Sequence, residues 1–209
     1  MEEYFVPTAD AETEFVEKHS KFIGRIFCTE TEEEALAALE RIRKQHWDAT
    51  HNVYAYIIHG GATRYSDDGE PGGTAGMPVL EVLRRAKLEN VLCVVTRYFG
   101  GILLGAGGLV RAYAKSAALA ADAAGTSVKR VWQAIDIPCP YNLFERVRQE
   151  VGSYDGILTD VEYGAEVLLH AALPLAQTDA FLTRLTDLSA GALAPILMEQ
   201  EYRAVPITK

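Results

Sequence analysis

The chain has 209 residues, 49% of them apolar and 23% charged, with a formal net charge of −9. That composition lies well outside the disordered regime, and the length suffices to bury a real core. The acidity excludes wholesale coating of nucleic acid, so any basic face must be gathered by geometry from a chain acidic in both halves.

The start, MEEYFVPTAD, carries acids where a secretory leader needs bases, and no apolar run approaches the ~20 residues of a bilayer span. A cytoplasmic protein without membrane contact is expected. YFVPTA, TEFVEK and SKFIGRIFCT alternate in a strand-like way and predict a meander of two or three strands. TETEEEALAALERIRKQH turns helical. Thr29 or Thr31 can cap it, each with Glu three positions on, and Leu36, Leu39 and Ile42 form the apolar stripe. NVYAYIIH reads as a strand, followed by a long glycine-rich loop from Gly60 to Gly73. A second helix spans about Ala75 to Leu88, with Thr74 as its cap, Pro78 near its start, and Val79, Leu80 and Leu83 inward. NVLCVVTRY is almost wholly apolar, as a strand covered on both faces should be. RYFGGILLGAGGLVRAY then leads into a helix that stops at Gly125.

After Gly125 the pattern changes. Strand SVKRVWQAIDIPC, helix Tyr141–Val151, strands GILTDVEY and AEVLLHAALP around Gly164, a helix from about Thr178 to Leu188 and a last strand in LAPILMEQEYRAVP follow in turn. That order is β-α-β-β-α-β, the split βαβ or ferredoxin-like arrangement. The fold class expected is α+β in two domains, residues 1–126 and 127–209. Cys28, Cys93 and Cys139 are far apart in apolar stretches and read as buried thiols, without disulfide or zinc spacing.

The glycine stretch invites a nucleotide reading and then refuses it. Gly100 and Gly105 have P-loop spacing, but Ala106 and Gly107 stand where Lys and Ser/Thr must be. Gly105 and Gly107 begin a dinucleotide pattern that Val110 breaks. What survives is a strand ending in Arg97, a loop with Gly100, Gly101, Gly105, Gly107 and Gly108, and a helix bearing Arg111 and Lys115 on one face. Helix amino ends favour anions and arginine grips phosphate, so these residues, with Arg64, form a candidate phosphate or nucleic-acid surface. The plainer alternative is that the glycines serve close packing, with the arginines paired to acids.

Asp67, Asp68 and Glu70 in RYSDDGEPGGTAGMP cluster as hard-cation ligands would, but without EF-hand spacing. An acidic turn is the simpler reading, so no metal and no cofactor are expected. Tyr65, Tyr98 and Phe99 suit base stacking or a protein hot spot, whereas Tyr54 and Tyr56 on a central strand suit the core. No HExxH exists; His51 and His59 near Asp67 and Asp68 read as ordinary satisfied histidines, and no catalytic residue is assigned.

THNVYAY, SDDGEPGGTAG and VVTRYFGGILLGAGGLVRAY together resemble the YigZ/IMPACT family, densely from Lys21 to Ala124 and more loosely in the tail. The resemblance implies a first domain similar to the second domain of a small-subunit ribosomal protein and to domain IV of elongation factor G. It implies a tail similar to that factor's domain V. It also implies a link to translation, since the eukaryotic branch restrains an amino-acid-starvation kinase through that kinase's activator. Met77 stands where relatives often carry lysine, which removes a charge beside the glycine surface. The leading expectation is a non-enzymatic RNA- or ribosome-associated protein. A module docking a regulatory protein is the first alternative, and a metal-dependent hydrolase using Asp67, Asp68 and Glu70 the second.

Overall fold

The computed structural model describes residues 3–207. Strands β1 (Tyr4–Pro7), β2 (Ala11–Glu17) and β3 (Ser20–Cys28) precede helix α1 (Glu32–Gln45), then β4 (His51–Ile57), β5 (Thr63–Ser66), α2 (Gly76–Arg85), β6 (Val91–Tyr98) and α3 (Ala106–Ala124). The long strand β7 (Thr126–Cys139) continues into α4 (Phe144–Ser153), β8 (Ile157–Tyr163), β9 (Val167–Pro174), α5 (Leu175–Ser189) and β10 (Ile196–Pro206). The architecture is mixed α+β, with antiparallel pairing throughout the first sheet. Two compact units result. One holds Tyr4–Lys129 and the described residues from Ala204 on; the other holds Glu3 and Arg130–Arg203.

In the first unit the sheet runs β2-β3-β6-β4-β5, which puts β6 at the centre. Side chains alternate across a strand, so each face of β6 meets its own layer. Val91, Cys93 and Val95 enter a core with Phe22, Ile26, Val53, Ala55 and the inner faces of α2 and α3. Leu92 and Val94 pack on the other face against Ala35, Ala38, Leu39 and Ile42 of α1, with Tyr56. Burial on both sides explains why NVLCVVTRY carries so little polarity. The same period of two places Arg97 on the α2–α3 face, in line with Val95.

Helix α1 departs from expectation on its inward face. Thr31 is the cap, its hydroxyl accepting from Glu34 N–H at 3.2 Å. Ala35 and Ala38 lie inward, whereas Leu36 is 46% exposed. The inward stripe is Ala35, Ala38, Leu39 and Ile42, at the helical period of i, i+3, i+4 and i+7, and Leu36 falls beside it. The loop read from Gly60 to Gly73 contains β5, a polar edge strand paired antiparallel to β4. Helix α2 begins at Gly76, with Ala75 in the capping position. Cys28 is exposed, not buried, although partial shielding and the neighbouring Asp10 push its thiol up to about 11. Cys93 and Cys139 are buried.

The second unit has the order β-α-β-β-α-β, with α4 opening at Phe144 rather than at Tyr141. Its strands lie in the order β10-β7-β9-β8. Val147, Val151, Phe181 and Leu185 from the two helices close over Ile135, Ile137, Leu169 and Leu173. Among the described residues no helix is long and apolar enough to cross a membrane.

The reassigned face of α1 is directly testable. Leu39→Ala should lower unfolding free energy by about 2–5 kcal/mol, as large-to-small core changes do. Leu36→Ala should stay within about 0.5 kcal/mol of the parent in the same denaturant titration, as exposed positions do.

Candidate functional site

The glycine loop is shaped by two constraints on its backbone. A Cβ on Gly100 would stand 2.0 Å from the backbone carbon of His19, so this residue lies flat against the β2–β3 turn. Gly105, at φ +71°, turns the chain into α3, where it occupies the capping position without any side-chain cap. Gly107 meets nothing closer than Arg111 Nη1 at 3.6 Å. Gly101 has positive φ and is exposed, and Gly108 faces Leu104.

Arg97 is only 5% exposed. Its Nη1 donates to Glu70 Oε1 at 2.6 Å and its Nη2 to Ser20 Oγ at 3.3 Å. The guanidinium carbon stands 5.5 Å from the ring centroids of both Phe22 and Phe99. Tyr113, fully buried in α3, donates its hydroxyl to the same Glu70 Oε1 at 2.7 Å. Burial first, then the Glu70 charge, drives the Tyr113 phenol far upward, so it stays a donor. Arg97 thus forms part of a buried ion pair, not a free cation at the surface.

The three acids of the neighbouring loop turn to different tasks. Asp67 Oδ1 accepts from the N–H groups of Ala75 and Gly76 at 3.0 and 2.8 Å, and Oδ2 from Gly73 N–H at 2.8 Å. It caps α2 from eight residues upstream of Ala75. Thr74, the expected cap, instead donates to Pro71 O at 2.6 Å. Asp68 has a left-handed backbone, φ +46°, and its carboxylate takes Asn52 N–H and Arg43. Glu70 turns inward to Arg97. Among the described residues no group of three or more His, Cys, Asp or Glu side chains could hold a metal ion. The hydrolase reading therefore loses its geometry, because the carboxylates it needs diverge.

His51 joins the site, although the sequence marked it only as an ordinary histidine. It is the direct register partner of Arg97 across β4 and β6. Its Nδ1–H donates to Asp68 O at 2.7 Å, which leaves Nε2 without a proton in the neutral ring, 3.7 Å from Glu70 Oε1. His51, Glu70, Arg97, Phe99, Leu103 and Gly105 are among the residues lining a cavity of about 400 Å³. A second cavity, about 260 Å³, is lined by Phe15, Gly108, Arg111 and Lys115 together with Lys18 and Glu17. Leu104 lines both. Arg64 and Tyr65 are exposed on β5 and line neither. Met77 is packed against the main core.

Tyr98 belongs to a separate relay. Arg25 Nη2 donates to His46 Nε2 at 2.7 Å, so the neutral ring carries its proton on Nδ1 and donates to Tyr98 Oη at 2.8 Å. Tyr98 in turn donates to Asp48 at 3.2 Å. Burial, then the Arg25 charge, lowers the His46 pKa.

Residues 18–121 match the Impact N-terminal domain, and residues 137–192 match a domain of unknown function, DUF1949. YigZ of Escherichia coli, an IMPACT family member, is 36% identical over 206 residues, covering 96% of this chain and all of that protein. The chain belongs to the IMPACT family. A second member, YvyE of Bacillus subtilis, is 37% identical over 193 residues, covering 91% of this chain and 89% of YvyE. A crystal structure of a hypothetical protein, 35% identical, superposes with a TM-score of 0.60 over 95% of this chain and 98% of its own. Every residue named around the two cavities falls inside the Impact N-terminal match except Phe15 and Glu17.

Three stability outcomes are expected. Asp67→Ala should cost about 1–2 kcal/mol in thermal or denaturant unfolding, the size of a lost helix cap. His46, with its folded pKa below 6.5, stabilises fully above that value, and the contribution falls away as pH drops through and below it. His46→Gln should therefore flatten the loss of stability on the acid side. His170, raised by its hydrogen bond to Asp136, has the opposite sign: its contribution is present below 6.5 and lost as pH rises through its folded value.

Proposed function

We propose that the chain is a non-enzymatic, cytoplasmic RNA- or ribosome-associated protein whose work is tied to translation. The observation that carries the reading is the second cavity, where Lys18, Arg111 and Lys115 gather with a single acid, Glu17. The α3 amino end beside them has no side-chain cap, and uncapped helix starts present N–H groups to phosphate. Half-buried Phe15 and Leu104 line the same cavity, and Lys115 Nζ stands 4.5 Å from the Phe15 ring centroid, so an aromatic face adjoins the cations as in single-stranded RNA surfaces. The tail supports the link: its β-α-β-β-α-β order and β10-β7-β9-β8 sheet fit the ferredoxin-like fold that a likeness to domain V of elongation factor G implies.

A second reading, docking of a regulatory protein, is favoured by one observation. Phe99, Ile102, Leu103 and Val110 are all exposed around the glycine loop, Leu103 at 81%. Apolar side chains gathered this way are typical of protein contacts.

Titration with single-stranded and structured RNA across a salt series separates the two. Arg111→Ala and Lys115→Ala should each flatten the slope of log affinity against log salt by about 0.7–0.9. Arg97→Ala should lower stability and leave that slope unchanged, because its charge is already neutralised by Glu70. Absence of RNA binding at low salt, with a partner held through Leu103 and Phe99 after nuclease treatment, would replace the first reading by the second.

A further inference from the structure

We infer that the 400 Å³ cavity is a base pocket for guanine, presented by RNA or by a free nucleotide. The inference deepens the RNA reading and rests on it for the RNA source alone.

Two residues that line the cavity, Glu70 and His51, carry open acceptors. Glu70 Oε1 already accepts from Arg97 and Tyr113, but among the described residues no hydrogen bond reaches Oε2. Oε2 is also absent from the sealed side-chain atoms that lack a partner, although the Glu70 side chain is only 3% exposed. A carboxylate oxygen inside a nearly closed wall, unpaired yet reachable, marks a place for a donor from outside. In the neutral ring His51 Nε2 is the second acceptor, because Nδ1–H is committed to Asp68 O; it lies 3.7 Å from Glu70 Oε1, too far to bond to it.

Two adjacent acceptors call for two adjacent donors. A cationic pair of donors, such as a guanidinium or an ammonium, is disfavoured because Arg97 already neutralises Glu70 from 2.6 Å. The donors must therefore be neutral. Guanine alone among the four RNA bases presents two neighbouring donors on its pairing edge, the ring N1–H and the exocyclic amine. Adenine and cytosine set an acceptor beside their amine, and uracil flanks its N–H with two carbonyls. Each of those would turn a lone pair toward His51 or Glu70.

The walls suit a flat heterocycle. Phe99 and Leu103, 45% and 81% exposed, stand at the rim, and buried Leu109 lies within. Splayed bases are held in this way, stacked on an aromatic ring and read along the pairing edge. Leu104 divides this pocket from the one lined by Arg111 and Lys115, which places cations one side chain away from the base for its phosphate.

The test is a titration of the intact chain with GMP, AMP, CMP and UMP, followed by single-stranded RNAs with and without one guanine. GMP should bind at least about tenfold more tightly than the other three, the discrimination of a good two-bond base contact. Glu70→Gln should abolish that preference, with folding checked by thermal melting. Phe99→Ala changes an exposed ring and should weaken GMP by about tenfold or more even if Glu70→Gln fails to fold. Equal binding of all four nucleotides, or tighter binding of free arginine than of GMP, overturns the inference. RNA bound without preference for guanine overturns it too, while leaving the RNA reading standing. GMP bound with preference but no RNA bound at all supports the pocket with a free nucleotide as its ligand, and the RNA reading falls instead.

Discussion

The buried pair of Glu70 and Arg97 joins three separate parts of the first unit. Glu70 comes from the acidic loop, Arg97 from the central strand, and Tyr113, bonded to the same carboxylate oxygen, from the longest helix. Taking such charges out of water gains little over apolar packing, yet removing one partner costs about 3–5 kcal/mol because the other is stranded. The pair therefore holds the acidic loop, the central strand β6 and α3 in one arrangement. It also sets the electrostatics of the region. The inner cavity has a balanced floor, and the unbalanced cations, Arg111 and Lys115, stand outside it.

Much of the fold was legible because burial on β6 and the inner faces of α2 and α3 leaves a strong periodic signal. The strand NVLCVVTRY could only be central, and Gly125 could only end a helix. Edge strand β5 was invisible because Thr63, Arg64, Tyr65 and Ser66 carry no apolar alternation; its pairing to β4 comes from register, not from propensity. Leu36 is apolar but stands off the buried face of α1. Ala35, Ala38, Leu39 and Ile42 recur at the helical period and face the sheet, which leaves Leu36 one step off the stripe. Thr74 was a sound cap by residue type, one position early by geometry.

The site was legible in its residues but not in their roles. Arg97 shares the parity of Val91, Cys93 and Val95, so its burial was written in the strand's own period. The glycine loop after it drew attention to the surface instead. His51 needed the β4–β6 register, a relation across 46 residues of chain that no local pattern carries. The acidic trio looked like one cluster because sequence shows spacing and not direction. The left-handed turn at Asp68 sends neighbouring carboxylates to opposite tasks.

That turn has a further consequence for the order in which structure forms. Helix α2 starts with Ala75, Gly76 and Met77, none able to cap it, and its first amides are satisfied by Asp67 from the far side of the loop. Helix nucleation is unfavourable, and here its missing partners arrive only after the chain has reversed. The segment from Ser66 to Gly76 is thus a cooperative unit, and any fluctuation that opens the loop frays the helix with it.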